Sequence, residues 1–218
     1  MKFILPSVII TAAVIVGMFY MKPREKALKI YNPVDVSKEM VDADIARKGF
    51  GHKIQSFQFT DQSNNLFHSE SLKRKVYVAE YFFTTCKSIC PIMNHQMQRV
   101  QNAYKGNTNF KILSFTVDPD VDTVAQMARY AKEHKADNTQ WHFLTGDKDS
   151  LYQLARRSFF VLKPAEAKNQ GDVGSDFIHT NNFVLVDKEM RIRGYYDGTS
   201  HKEVDRLIHD VQRLLDEQ

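Results

Sequence analysis

From Val76 to Leu215 short apolar runs alternate with helix-period segments, and that alternation restricts the chain to an α/β fold on a partly parallel sheet. Val76–Phe83 reads as a buried strand. From Pro91, the positions Ile92, Met93, Met97, Val100 and Tyr104 follow helical spacing until Gly106-Asn107 supplies a stop. Phe110–Val117 is a second strand, ending at Asp118-Pro119. Asp122-Thr123 opens a helix that runs to about His134, with Val124, Met127, Ala128 and Ala131 on one face. Trp141–Leu144 is a short strand, Asp147–Phe159 is helical, and Lys163–Asp176 is a polar loop. Asn182–Val186 and Arg191–Tyr196 are strands joined by a turn at Asp187-Lys188-Glu189. Ser200 then caps an amphipathic helix that continues to Leu215. Upstream, His52–Phe59 and Leu66–His68 pair as a hairpin across Asp61–Asn65, where asparagine tolerates positive φ. Helices then cover both faces of the sheet, and residues 51–218 make one domain.

The beginning of the chain is different in kind. Phe3–Met21 is an uncharged apolar run, just long enough to cross a hydrocarbon core as a helix. No Ala-x-Ala-like site follows it, so residues 1–21 read as an uncleaved transmembrane anchor rather than a signal peptide. Residues 22–50 are polar, carry a turn signal at Asn32-Pro33 and read as a tether. Lys2 precedes the span while Lys22, Arg24, Lys26 and Lys29 follow it, so charge counting would keep the C-terminal part inside. With 43% hydrophobic and 26% charged residues the remainder is globular. A net charge of +4 without a dense Lys/Arg stripe argues against nucleic-acid binding.

Cys86 and Cys90, in Cys86-Lys87-Ser88-Ile89-Cys90-Pro91, are the only cysteines in the chain. They sit where the first buried strand gives way to the first long helix. At helical spacing, Cα atoms four residues apart lie roughly 6 Å from one another, which suits a disulfide and also leaves room for two thiolates to hold one ion. Pro91 fits the first helical position. The helix start, with Lys87, is expected to lower both thiol pKa values. Two cysteines make no disulfide framework, so redox chemistry and soft-metal binding are the two readings. Of the eight histidines, His134, His201 and His209 read as solvated, His95 as pointing elsewhere and His142 as a strand-edge residue. His179 ends the polar loop and immediately precedes a strand, where it can reach the cysteine pair. Met93 and Met97 read as core, although a thioether is also a soft ligand.

In order along the chain stand Phe82-Phe83-Thr84-Thr85-Cys86-x-x-x-Cys90-Pro91, then Ser114-Phe115-Thr116-Val117-Asp118-Pro119-Asp120-x-Asp122-Thr123. Trp141-x-Phe143-Leu144-Thr145-Gly146 follows, and then His179-Thr180 ahead of Phe183–Asp187. Together these segments resemble the Sco/SenC family, from about His52 to Leu215. The resemblance implies a thioredoxin-like domain, with a mixed central sheet flanked by helices, behind an N-terminal transmembrane helix. It implies a membrane-tethered copper chaperone for the Cu(A) site of cytochrome c oxidase, with Cys86, Cys90 and His179 as ligands. Sulphur selects Cu(I), and one imidazole also accommodates Cu(II). The implied partner is the oxidase subunit bearing Cu(A), or another copper or thiol protein. The implied location is the bacterial inner membrane with the domain in the periplasm; the alternative is the mitochondrial inner membrane, facing the intermembrane space. One departure is local: the family commonly has Pro-Asp after the first cysteine, and Lys87-Ser88 stands here. A cation in place of an acidic neighbour favours the free thiolate. It keeps a second function open, a thiol–disulfide oxidoreductase using Cys86 and Cys90 to hold partner cysteines reduced.

Overall fold

The structure is a computed structural model and describes residues 25–47, 49–162 and 181–217. Among the described residues seven strands form one sheet: β1 (Gln58–Asp61), β2 (Leu66–His68), β3 (Val76–Phe82), β4 (Phe110–Thr116), β5 (Trp141–Thr145), β6 (Asn182–Val186) and β7 (Ile192–Asp197). Their spatial order is β2-β1-β5-β4-β3-β6-β7. The central trio β5, β4 and β3 is parallel, β1 pairs antiparallel with β5, and β6 with β3. This is the mixed sheet expected from the alternation of strands and helices. All seven residues of β3 are buried, as a strand covered on both faces requires.

The helices are α1 (Ala43–Ala46), α2 (Cys90–Ala103), α3 (Val124–Glu133), α4 (Lys148–Leu154) and α5 (His201–Asp216). On one face of the sheet Val78 and Phe82 meet Met93 and Met97 of α2, Met127 of α3, and Val204, Leu207, Val211 and Leu214 of α5. On the other, Tyr77, Ala79 and Tyr81 meet Leu151 and Leu154 of α4 together with Phe159–Leu162. Thr123, Asp147 and Ser200 each cap the helix that follows by accepting a backbone N–H. Helix α4 runs on into a π-helical turn, Ala155–Phe159, and the chain leaves it at Phe160 with φ 55°.

Three elements differ from the sequence reading. The strand expected over His52–Phe59 is confined to its end, because Ile54 N–H donates to Met190 O and Phe57 N–H to the Ser69 hydroxyl instead of to a ladder. Helix α2 starts at Cys90, so Pro91 takes its second position; that position also lacks an intrahelical acceptor, and proline costs nothing there. The described part of the 22–50 segment, read as a tether, is built into the fold. Val41 and Ile45 are buried, Tyr31 N–H donates to Ile192 O at 2.8 Å, and Arg156 donates from Nη2 to Asp42 Oδ1 at 2.8 Å. No helix of the described residues is long and apolar enough to cross a membrane. Phe3–Met21, where an anchor is expected, lies outside them.

Candidate metal and thiol site

The strands of the parallel trio all end on one edge of the sheet, and the cysteines follow its outer member β3, which lies between β4 and β6. β3 stops at Phe82, and Cys86 follows in the loop, its N–H donating to Phe83 O at 3.2 Å. Cys90 is the first residue of α2. The expectation that both cysteines lie within a helical turn is therefore corrected: one belongs to the loop and one to the helix. Both are free thiols, Cys86 9% and Cys90 1% exposed. Ser88 Oγ stands 3.6 Å from Cys86 Sγ.

Their electrostatics separate them. Burial pushes the Cys86 thiol up, but hydrogen bonds from Cys90 and from Ser88, side chain and backbone in each case, outweigh it and bring it down to about 7. Cys90 moves strongly upward, first through burial, then through its hydrogen bond to Cys86 and the charges of Cys86 and Glu80. The sequence expectation that the helix start lowers both pKa values fails for Cys90, where desolvation dominates. Lys87 is exposed and is not among the groups that lower Cys86.

A buried polar chain runs across the parallel trio, close enough to Cys90 for the Glu80 charge to act on it. Trp141 Nε1–H donates to Ser114 Oγ at 2.8 Å, and the Ser114 hydroxyl donates to Glu80 Oε1 at 2.6 Å. Glu80 is 1% exposed, and burial raises its carboxyl to about 7 despite the Ser114 hydrogen bond. Asn94 of α2 donates to the Tyr130 hydroxyl of α3. The sequence reading passed over Glu80; a single acidic residue inside an otherwise apolar seven-residue strand was the available signal. In the sequence Ser88 stands out only as half of the Lys87-Ser88 departure, and Asp122 only as the opening of a helix.

His179 lies outside the described residues, and among those described no group of three His, Cys, Asp or Glu residues forms a metal cluster. The described chain resumes at Asn181. Antiparallel pairing of Ala79 with Val184 runs the start of β6 alongside the end of β3, at the sheet edge that carries Cys86. His201 and His209 are exposed on α5, as expected of solvated histidines, and His95 is exposed on α2. His134 is half-buried, its ring centroid 4.4 Å from that of Tyr130. His142 is not at a strand edge, because β5 is interior to the sheet; its ring lies 4.7 Å from Phe67. Met93 and Met97 are buried in the core between α2 and the sheet. Asp118 is 4% exposed and serves its turn, its carbonyl accepting the Val121 and Asp122 N–H groups.

Fold and site together define a thioredoxin-like protein with an asymmetric pair of reduced thiols where the interior strand β3 leads into a helix. The chain belongs to the SCO1/SenC family, whose pattern it matches over residues 46–216. A SCO1 protein homolog of Bacillus subtilis is 32% identical over 164 residues, covering 74% of this chain and 82% of that protein. BsSco, described as having a disulfide switch and as a member of the Sco family of cytochrome c oxidase assembly proteins, superposes with a TM-score of 0.65. It is 28% identical, over 78% of this chain and 96% of that one. Copper-bound ScoI of Bradyrhizobium japonicum has the same fold, with a TM-score of 0.60 at 23% identity over 76% of this chain and all of its own.

Proposed function

We propose that this protein binds a copper ion through the sulphurs of Cys86 and Cys90 and the imidazole of His179, and passes it to the Cu(A) site of cytochrome c oxidase. The observation that carries the reading is the pair of reduced, nearly buried thiols at one end of the sheet. Soft sulphur donors select Cu(I), and burial excludes water and competing hard ions. Membership in the SCO1/SenC family supports it, as does the copper held by a Sco protein of the same fold. His179 enters through the sequence: it stands two residues before Asn181, where the chain returns to the cysteine-bearing edge. Residues 3–21 anchor the domain in the bacterial inner membrane, facing the periplasm; the mitochondrial inner membrane is the alternative. The basic residues that follow the span oppose this orientation.

Copper stoichiometry and EPR of the purified protein, compared with His179→Ala, test the ligand set. Unchanged affinity in the variant removes His179 from it. A reporter fused after Gln218 reads the orientation, and a cytoplasmic signal sinks the periplasmic assignment.

A second reading rests on the asymmetry of the thiols. Cys86, held near 7, is suited to attack a partner disulfide, and the more buried Cys90 to resolve the mixed disulfide. The protein then keeps the partner's cysteines reduced for metal insertion. Cys90→Ser traps the mixed disulfide if this is its task; tight 1:1 copper with no trapped partner leaves the chaperone alone.

A further inference from the structure

One buried carboxylate ties the end of β3 to the end of β4. Asp122 has no exposed surface. Its Oδ1 and Oδ2 each accept the Thr84 N–H at 3.2 Å, and Oδ1 also accepts the Thr84 hydroxyl. Oδ2 further accepts the Thr116 hydroxyl, from the last residue of β4, at 2.5 Å. The network extends outward on both sides. Gln126 Nε2 of α3 donates to Thr84 Oγ1 at 3.2 Å, and Asp118 N–H donates to Thr116 Oγ1 at 2.9 Å. Asp122 is itself fixed by its own N–H, which donates to Asp118 O at 2.8 Å.

Thr84 stands two residues before Cys86, in the segment between the end of β3 and the start of α2. Backbone and side chain of that one residue are both gripped by the same carboxylate. The donors to it are one backbone N–H and two hydroxyls, so both of its oxygens are met by oriented hydrogen bonds. Burying a carboxylate costs several kcal/mol, whereas an apolar side chain would fill the same space without that cost. The geometry therefore serves placement better than it serves stability.

We propose that Asp122 is a positioning residue for the dithiol: by holding Thr84 it sets where the Cys86 sulphur stands relative to Cys90. This rests on Cys86 and Cys90 being the working groups, whichever of copper binding or disulphide exchange is their task. A disulfide tolerates a narrow range of separations, so a loosened loop makes the bridge easier to reduce. The same loosening exposes the Cys86 sulphur to reagents.

The test uses the full chain with Asp122→Ala, Asp122→Asn, Thr84→Val and Thr84→Ser. Three readouts are taken: the dithiol–disulfide equilibrium against glutathione, the Cys86 alkylation rate by iodoacetamide at pH 9, and Tm. Asp122→Ala is expected to shift the equilibrium at least tenfold toward the dithiol, about 30 mV, and to speed alkylation at least tenfold. Thr84→Val is expected to shift both at least threefold, with Thr84→Ser restoring wild-type values. A folded Asp122→Ala variant with lowered Tm, but with both thiol readouts within twofold of wild type, would show a structural role and overturn the proposal. If Asp122→Ala does not fold, Thr84→Val decides, and values within twofold of wild type overturn it. A wild-type chain that neither binds copper nor forms a reversible disulfide fails the functional reading instead. The alkylation rates still judge Asp122 in that case.

Discussion

Ser114 donates its hydroxyl to Glu80 Oε1 at 2.6 Å, across two parallel strands that pair these residues in register. It is the hydrogen bond that meets one oxygen of a buried carboxyl group; the other oxygen, Oε2, has no hydrogen-bond partner among the described residues. Burial accordingly raises Glu80 to about 7. The folded pKa lies above the unfolded one, so the stabilisation is full below pH about 4.5 and is lost as pH rises through about 7. Unfolding free energy in denaturant should fall by up to about 3 kcal/mol more for wild type than for Glu80→Gln between these limits. Parallel pH profiles for the two proteins would refute the assignment.

His142 should act in the opposite sense. Burial, reinforced by Lys111 and Lys75, lowers it to about 4 against the pull of Asp61, whose Oδ2 lies 3.7 Å from Nδ1. A depressed histidine contributes stability that is present above pH about 6.5 and lost as pH falls through about 4. His142→Phe, which keeps an aromatic ring against Phe67, should therefore lose up to about 3 kcal/mol less than wild type over that acid range. Equal acid sensitivity would count against a buried neutral imidazole.

The two thiols should be kinetically distinct. Alkylation of the reduced native chain, followed by peptide mass spectrometry, should modify Cys86 first, with a midpoint near pH 7. Cys90, with its pKa raised and its surface 1% exposed, should remain unmodified at that pH. Comparable rates at the two positions would contradict the asymmetry.

The turn between β6 and β7 is held by charge. Arg193, with its side chain 3% exposed, donates from Nη1 to Asp187 Oδ2 at 2.9 Å, reaches Glu217 at 3.0 Å and donates from Nη2 to Leu28 O. Arg193→Met leaves Asp187 with Arg191 but strips the tie to residue 28 and the last helix. It should cost about 3–5 kcal/mol, roughly 10 °C in Tm by calorimetry. A loss below about 1 kcal/mol would mean that the pair is not effectively buried.

The class of fold was legible because its signals are local. Val76–Phe82, Phe110–Thr116 and Trp141–Thr145 are apolar runs of strand length, and the stripe of α5 shows in its spacing. The hairpin turn was equally plain: Asp61 Oδ1 accepts the Ser63 and Asn65 N–H groups, and Asn64 has φ 61°. The segment before β1 misled, since its backbone groups bond to Met190 and Ser69, partners remote or irregular in sequence. Residues 25–47 misled for a similar reason: their polar composition masks the few apolar contacts, Val41 and Ile45, by which they dock.

At the cysteines the division is sharper. That two thiols, four residues apart, stand where a buried strand meets a helix follows from local pattern, because strand period, proline and spacing are all written within about a dozen residues. That the two are unlike is a product of folding. That difference depends on burial, on Ser88 turning toward Cys86, and on Glu80 lying close enough to Cys90 for its charge to be felt. The buried polar pairs nearby are likewise made across the sheet: Ser114 with Glu80 over 34 residues and Thr84 with Asp122 over 38. No periodicity encodes such pairs. They form when parallel strands bring their ends together and exclude the water that would otherwise satisfy those polar groups.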